Sequence, residues 1–139
     1  MTVHPNALSR RAFVQKLSCV AALFVLPSDR RHGDGLDHPD ARPGITSAHV
    51  LSNDALKTSK LKVLTAYDGA RKHPAIFDAI ACGCSCGDKG THRSLLVCYE
   101  TMQPTGCWSC QDEAVLVTEL ADKNTPLAEI RAAVDKKFG

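Results

Sequence analysis

Six of the seven cysteines fall within the 29 residues from Cys82 to Cys110, CGCSCGDKGTHRSLLVCYETMQPTGCWSC. They are Cys82, Cys84, Cys86, Cys98, Cys107 and Cys110; the seventh, Cys19, stands alone in an N-terminal apolar run. Thiols at this density are joined by something, and the candidates are a metal, disulfides, or both in turn. In the Cys-x-Cys-x-Cys segment, alternate side chains share a face if the chain is extended, and positions four apart share one if it is helical. Either way at least two sulfurs converge. Bridging neighbours within the segment is strained, because a disulfide wants Cα atoms about 4.4–6.8 Å apart and a definite dihedral. A soft metal has no such requirement. Cys107-Trp-Ser-Cys110 is a CxxC that opens a predicted helix, where the helix N-terminus lowers thiol pKa and suits either metal ligation or dithiol redox chemistry.

The rest of the chain is read from this cluster outward. Gly83, Gly87 and Gly90 make the CxCxC segment a loop that can wrap round an ion. Before it, apolar spacing predicts a helix from about Ser52 to Lys72, capped by Ser52, Asn53 or Asp54 and burying Leu56, Val63, Leu64, Tyr67 and Ala70. Pro74 then opens a short helix with Ile76, Phe77 and Ile80. After it, Thr91 caps a predicted helix from about His92 to Met102, with Leu95, Leu96, Tyr99 and Met102 on one face and Cys98 beside it. His92 joins the candidate ligands from the cap position. Six residues separate it from Cys98, so the two cannot both face one ion from a regular helix. Pro104 and Gly106 break the chain before Cys107. Two helices follow, one with Ala114, Val115, Val117, Leu120 and Ala121, and one after Pro126 with Leu127, Ile130, Val134 and Phe138. Trp108 reads as a lid or core residue, and Asp112 and Glu113 as first-turn acids placed for the helix dipole. The expectation is a small all-α domain of four to five helices over residues 52–139, organised around the cysteine loop.

The first 51 residues have a different character. Ser9-Arg10-Arg11-Ala-Phe-Val-Gln-Lys16 followed by LSCVAALFVL, residues 17–26, resembles a twin-arginine export signal. Ten apolar residues are too few to span a bilayer, which needs about 20. Such a signal is an address read by a receptor, and membrane association is expected only through an uncleaved leader. The lipid-attachment pattern is poorly matched before Cys19, where the residues are Lys16-Leu17-Ser18. Residues 28–51 hold Pro39, Pro43 and three glycines with no apolar period, and read as a flexible linker whose His32, His38 and His49 face solvent. This divides the chain into a signal segment at 1–27, a linker at 28–51 and the helical domain at 52–139. Residues 1–48 carry six Lys/Arg against four Asp, and the remainder carries 11 of each sign. A neutral domain without a basic stripe argues against nucleic acid as a partner. An export signal also points to the periplasm or cell envelope, where six thiols persist as a metal site or as disulfides.

Residues 63–139 resemble the PCYCGC-motif family of exported bacterial proteins. The resemblance lies in AYDGARKHPAIFDAIACGCSCG, HRSLLVCYE, GCWSCQDEAVL and IRAAVDKKFG. Ala81, Gly83 and Ser85 stand where the family has Pro, Tyr and Gly, and all three cysteines of the motif are kept. The resemblance implies an exported cysteine-cluster domain.

Three functions fit these residues. A thiophilic metal site is one, with zinc or copper(I) as the ion, since thiolates select such ions and CxxC spacing with glycine-rich turns suits zinc. A structural or carrier role then follows, with a metal-handling or redox protein as a possible partner. A thiol–disulfide protein using Cys107 and Cys110 is the second, although the chain lacks a βαβ pattern. A disulfide-braced interaction module is the third. No HExxH pattern, phosphate loop, Ser-His-Asp arrangement or carboxylate pair points to an enzyme.

Overall fold

The computed structural model describes residues 35–57, 60–84 and 92–139. The all-α expectation holds, with helices and turns and no strand among the described residues. The order is α1 (Asn53–Leu56), α2 (Leu61–Lys72), α3 (Pro74–Asp78), α4 (Leu95–Cys98), a 3₁₀ turn (Gln103–Gly106), α5 (Trp108–Asp122) and α6 (Leu127–Phe138). None of these is long and apolar enough to cross a membrane. The predicted signal segment, Cys86 and Thr91 lie outside the described residues.

Two predicted helices are shorter than their apolar spacing suggests. The first stops at Leu56, and Lys57 takes a left-handed conformation at φ 46°, so 53–56 and 61–72 are separate helices. Ser52 is the cap of the first, accepting from the Ala55 N–H. The helix predicted for 92–102 is the single turn α4. Ser94 is extended at φ −152°, and its hydroxyl donates to Asp78 at 2.9 Å instead of capping α4. Beyond Cys98, Thr101 folds back onto the Cys98 carbonyl, which accepts from both its N–H at 3.3 Å and its hydroxyl at 2.9 Å. Pro74 and Pro126 mark helix starts as the sequence predicts.

The core lies between α2, α5 and α6 and is closed at one end by α3 and α4. Leu56, Val63, Tyr67, Ala70, Phe77, Leu95, Leu96, Tyr99, Val117, Ile130 and Val134 are buried there. Tyr99 is the hub: its ring meets Tyr67 edge-on at 4.8 Å and Phe77 at 5.9 Å. Each tyrosine hydroxyl has an acceptor, Tyr67 on the Thr101 carbonyl at 2.5 Å and Tyr99 on the Cys110 carbonyl at 2.6 Å. Aromatic pairs of this geometry add about 0.5–1.5 kcal/mol beyond area burial.

Helices α2 and α5 approach closely at Gly69. A Cβ there would sit 2.0 Å from Thr118 Oγ1. Gly69→Ala is therefore expected to cost about 1–3 kcal/mol by overpacking, although alanine is worth up to about 1 kcal/mol more than glycine in a helix. Urea denaturation of the two chains measures the difference, and its sign decides the point.

The described part of the linker segment, residues 35–51, is fastened to the helices. Leu36, Ile45 and Leu51 pack against the core, and Val50 is buried in it. Arg42 binds Asp78 through its backbone N–H at 2.7 Å and its guanidinium at 2.9–3.2 Å. Arg131 of α6 donates to the Pro39 carbonyl at 2.7 Å. A segment rich in Pro and Gly with no apolar period can still dock when its polar groups find partners on a finished surface.

Candidate metal centre

Cys82 and Cys84 follow α3 in a short run without regular secondary structure. Their sulfurs are 3.2 Å apart. Cys110, in the first turn of α5, comes from across the fold to meet them, 3.1 Å from Cys84 and 3.9 Å from Cys82. These three sulfurs all lie within 4.8 Å of one another, with Cys110 buried and the other two partly so. They form the single group of this kind among the described His, Cys, Asp and Glu residues. The described cysteines form no disulfide.

The other candidates are arranged around this triad. Cys107 lies outside it, with its sulfur 2.9 Å from that of Cys110. It is the N-cap of α5, and its sulfur accepts from the Cys110 N–H at 3.4 Å. Cys98 ends α4, 1 % exposed, and its sulfur donates to the Ser94 carbonyl at 3.8 Å. His92 is half-buried and does not belong to the triad. Trp108, read from the sequence as lid or core, is 75 % exposed with Lys62 Nζ 4.9 Å from its ring centre.

Two residues that sequence reasoning passed over hold the Cys82–Cys84 turn. Glu113 does not face solvent at the helix dipole; it is fully buried, and both its oxygens accept from the Gly83 N–H, at 3.2 and 3.3 Å. Its neighbour Asp112 pairs with Lys62 at the surface, 2.7 Å away. His38, expected to be solvated in the linker, is 7 % exposed in its side chain. Its Nδ1 accepts from the Ala81 N–H at 3.0 Å, so Nε2 carries the proton and donates to Asp135 at 3.0 Å. Both residues grip backbone on either side of Cys82, and neither grip has a signature in local sequence.

Charge in the cluster is uneven. Hydrogen bonds from Cys110 and Cys98 hold Cys82 far below the ordinary thiol range, against its desolvation. Cys110 is pushed up, first by its bond to Cys82 and then by Cys98 and burial. Cys98 is also raised: the bond from Cys110 lowers it, but the bond to Cys82, burial and the charge of Cys82 and Cys84 outweigh that. The lowered thiol of Cys82 thus sits among the raised thiols of Cys98 and Cys110. Burial, then the charge of Cys82, push Glu113 up to about 9 against the donation from Gly83. At neutral pH Glu113 is a neutral acid beside the thiols.

The separations suit a single ion. Sulfurs bound at about 2.3 Å in a tetrahedron sit about 3.8 Å apart, and the triad spans 3.1–3.9 Å. A disulfide would need about 2.05 Å. Gly83 is required for the turn: a Cβ there would lie 2.8 Å from Phe138 Cβ and 2.9 Å from its carbonyl oxygen. Gly83→Ala is thus expected to displace Cys82 and Cys84 and weaken metal binding at least tenfold, read by competition with a chromophoric chelator.

The chain matches no family model, no curated protein and no solved structure.

Proposed function

We propose that this protein binds one thiophilic ion, zinc or copper(I), through Cys82, Cys84 and Cys110, in a structural or carrier role. The observation that supports this reading best is the convergence of three sulfurs from two segments 26 residues apart in sequence. Thiolates prefer Cu(I) and zinc to hard ions. Three sulfurs satisfy a three-coordinate soft ion, and they leave one position of a zinc tetrahedron for another group.

The remaining parts of the proposal rest on the sequence. The paired Arg10-Arg11 and the apolar run after them support export by the twin-arginine route to the periplasm or envelope. The CxCxC, HRSLLVCYE and CxxC order supports membership of the PCYCGC-motif family. A metal-handling or redox protein is the partner this reading calls for. Replacing Arg10 and Arg11 together by Lys is expected to leave the protein in the cytoplasm, as cell fractionation would show; unchanged export would remove the twin-arginine part of the proposal.

Native mass spectrometry of the full chain, purified reduced and without oxygen, tests the metal reading. One bound ion is expected in the wild type and none in Cys84→Ser. An ion-free wild type, after incubation with zinc and with copper(I), would contradict it.

A further inference from the structure

Cys110 takes part in two arrangements at once. It closes the triad, 3.1 Å from Cys84, and it lies 2.9 Å from Cys107. Residues three apart in a first helical turn satisfy the Cα separation a disulfide needs, about 4.4–6.8 Å. Bringing the two sulfurs to about 2.05 Å takes a movement of under about 1 Å. The arrangements exclude each other, because a sulfur in a disulfide has no thiolate to offer an ion.

Access differs between the two. Cys107 is 7 % exposed and Cys110 fully buried, so within this pair Cys107 is the sulfur a reagent reaches; the partly exposed Cys82 and Cys84 are bound to the ion in the loaded protein. Gly106 and Trp108, the residues on either side of Cys107, line a groove of about 450 Å³ together with Leu61 and Lys62. A Cβ at Gly106 would meet nothing within 4 Å, so that side is open. Leu61 and the Trp108 ring are both largely exposed, giving the groove an apolar wall beside the two chain neighbours of Cys107.

Resting on the three-sulfur reading above, the geometry points to a thiol–disulfide exchange at Cys107 and Cys110 that empties the metal site, with a small disulfide RSSR as oxidant. The Cys107 thiolate attacks one sulfur of RSSR. The reagent's S–S bond breaks, RS⁻ leaves, and a Cys107–SR mixed disulfide forms. The Cys110 thiolate then attacks the Cys107 sulfur, forming the Cys107–Cys110 bond and expelling the second RS⁻. Two electrons pass from the cysteine pair to RSSR, which becomes two thiolates. Cys82 and Cys84 remain, and two sulfurs hold the ion less well than three. Excess RSH reverses both steps and restores the triad.

The test uses the full chain loaded with zinc without oxygen and then treated with oxidised glutathione. A zinc indicator follows release, alkylation with mass spectrometry counts thiols, and peptide mapping locates the link. One zinc released per two thiols lost, with the link between Cys107 and Cys110, is expected. Cys107→Ser, checked for fold by circular dichroism, is expected to keep its zinc and to release it at least tenfold more slowly. Equal release from Cys107→Ser, a link between another pair, or zinc retained after the Cys107–Cys110 link has formed would each overturn the exchange. If Cys107→Ser fails to fold or to load, the wild-type stoichiometry and mapping decide alone. A wild type that loads zinc and keeps it through the oxidation sinks the exchange and spares the metal reading. A wild type that never loads sinks both.

Discussion

Replacing Asp78 by Ala is expected to remove about 1–3 kcal/mol of folding stability, the range for leaving a buried hydrogen-bonding group unsatisfied. Asp78 is fully buried and gathers two separate parts of the chain onto α3. Arg42 holds it from the 35–51 segment, Ser94 donates from the residue before α4 at 2.9 Å, and Arg93 pairs with it at 3.0 Å. Arg93 also donates to the Asp78 and Asp40 carbonyls. Asp78 lies four positions before Cys82 and Ser94 four positions before Cys98, so this network ties both ends of the cysteine loop. In the variant the arginines can turn to water, but the buried Ser94 hydroxyl loses its acceptor.

Acidity gives a second reading of the same group. Burial raises the Asp78 carboxyl, and hydrogen bonds from Arg42 and Ser94 outweigh that, bringing it from 3.8 to about 2. A carboxyl lowered in the folded state stabilises above its unfolded value and loses that contribution as pH falls. Here the loss runs from about pH 4 down through about pH 2, and a shift of this size is worth about 2 kcal/mol. Urea denaturation of the reduced, metal-free chain at pH 7, 4 and 2.5 measures it. Asp78→Asn is expected to flatten this dependence in that window. A loss below 1 kcal/mol in Asp78→Ala at pH 7 would mean that the network does not hold the loop.

The second large effect is expected at the cluster. An ion at about 1,000 times its dissociation constant stabilises the folded chain by about 4 kcal/mol. For a chain of this size that is a rise in Tm of roughly 10–20 °C. Cys110→Ser is expected to lose this rise completely, because Cys110 is the triad's one contribution from α5. Cys98→Ser is expected to keep it, since Cys98 does not belong to the triad. Because the ligands must shed protons, the rise is also expected to shrink as pH is lowered. Scanning calorimetry with and without zinc reads all three. A rise preserved in Cys110→Ser would place the ion elsewhere.

The parts of this molecule that were legible in the sequence are those set by local rules. Pro74 and Pro126 fix helix starts through their restricted φ, and Val63, Tyr67, Ala70, Ile130 and Val134 declare buried faces by spacing alone. Cys82, Cys84 and Cys110 were legible for the same reason: a CxC and a CxxC opening a helix each bring sulfurs together locally. What escaped depends on partners distant in the chain. Ser94 looks like part of a helical turn until Asp78, 16 residues away, takes its hydroxyl. Arg42 and His38 look like linker residues until Asp78, Ala81 and Asp135 are folded into place beside them. Asp112 and Glu113 lie past the first turn of α5, which starts at Trp108 and holds no acid in its first turn, so the dipole reading fails for both and nothing local tells Glu113 apart from Asp112 beside it. Its burial follows from where α5 crosses the Cys82–Cys84 run.

X-ray absorption at the metal edge of the reduced, ion-loaded full chain tests the central claim most directly. The account predicts a first shell dominated by sulfur, about three scatterers near 2.3 Å per ion, that disappears with the bound ion in Cys84→Ser. A shell dominated by nitrogen or oxygen, or one unchanged in that variant, would contradict it.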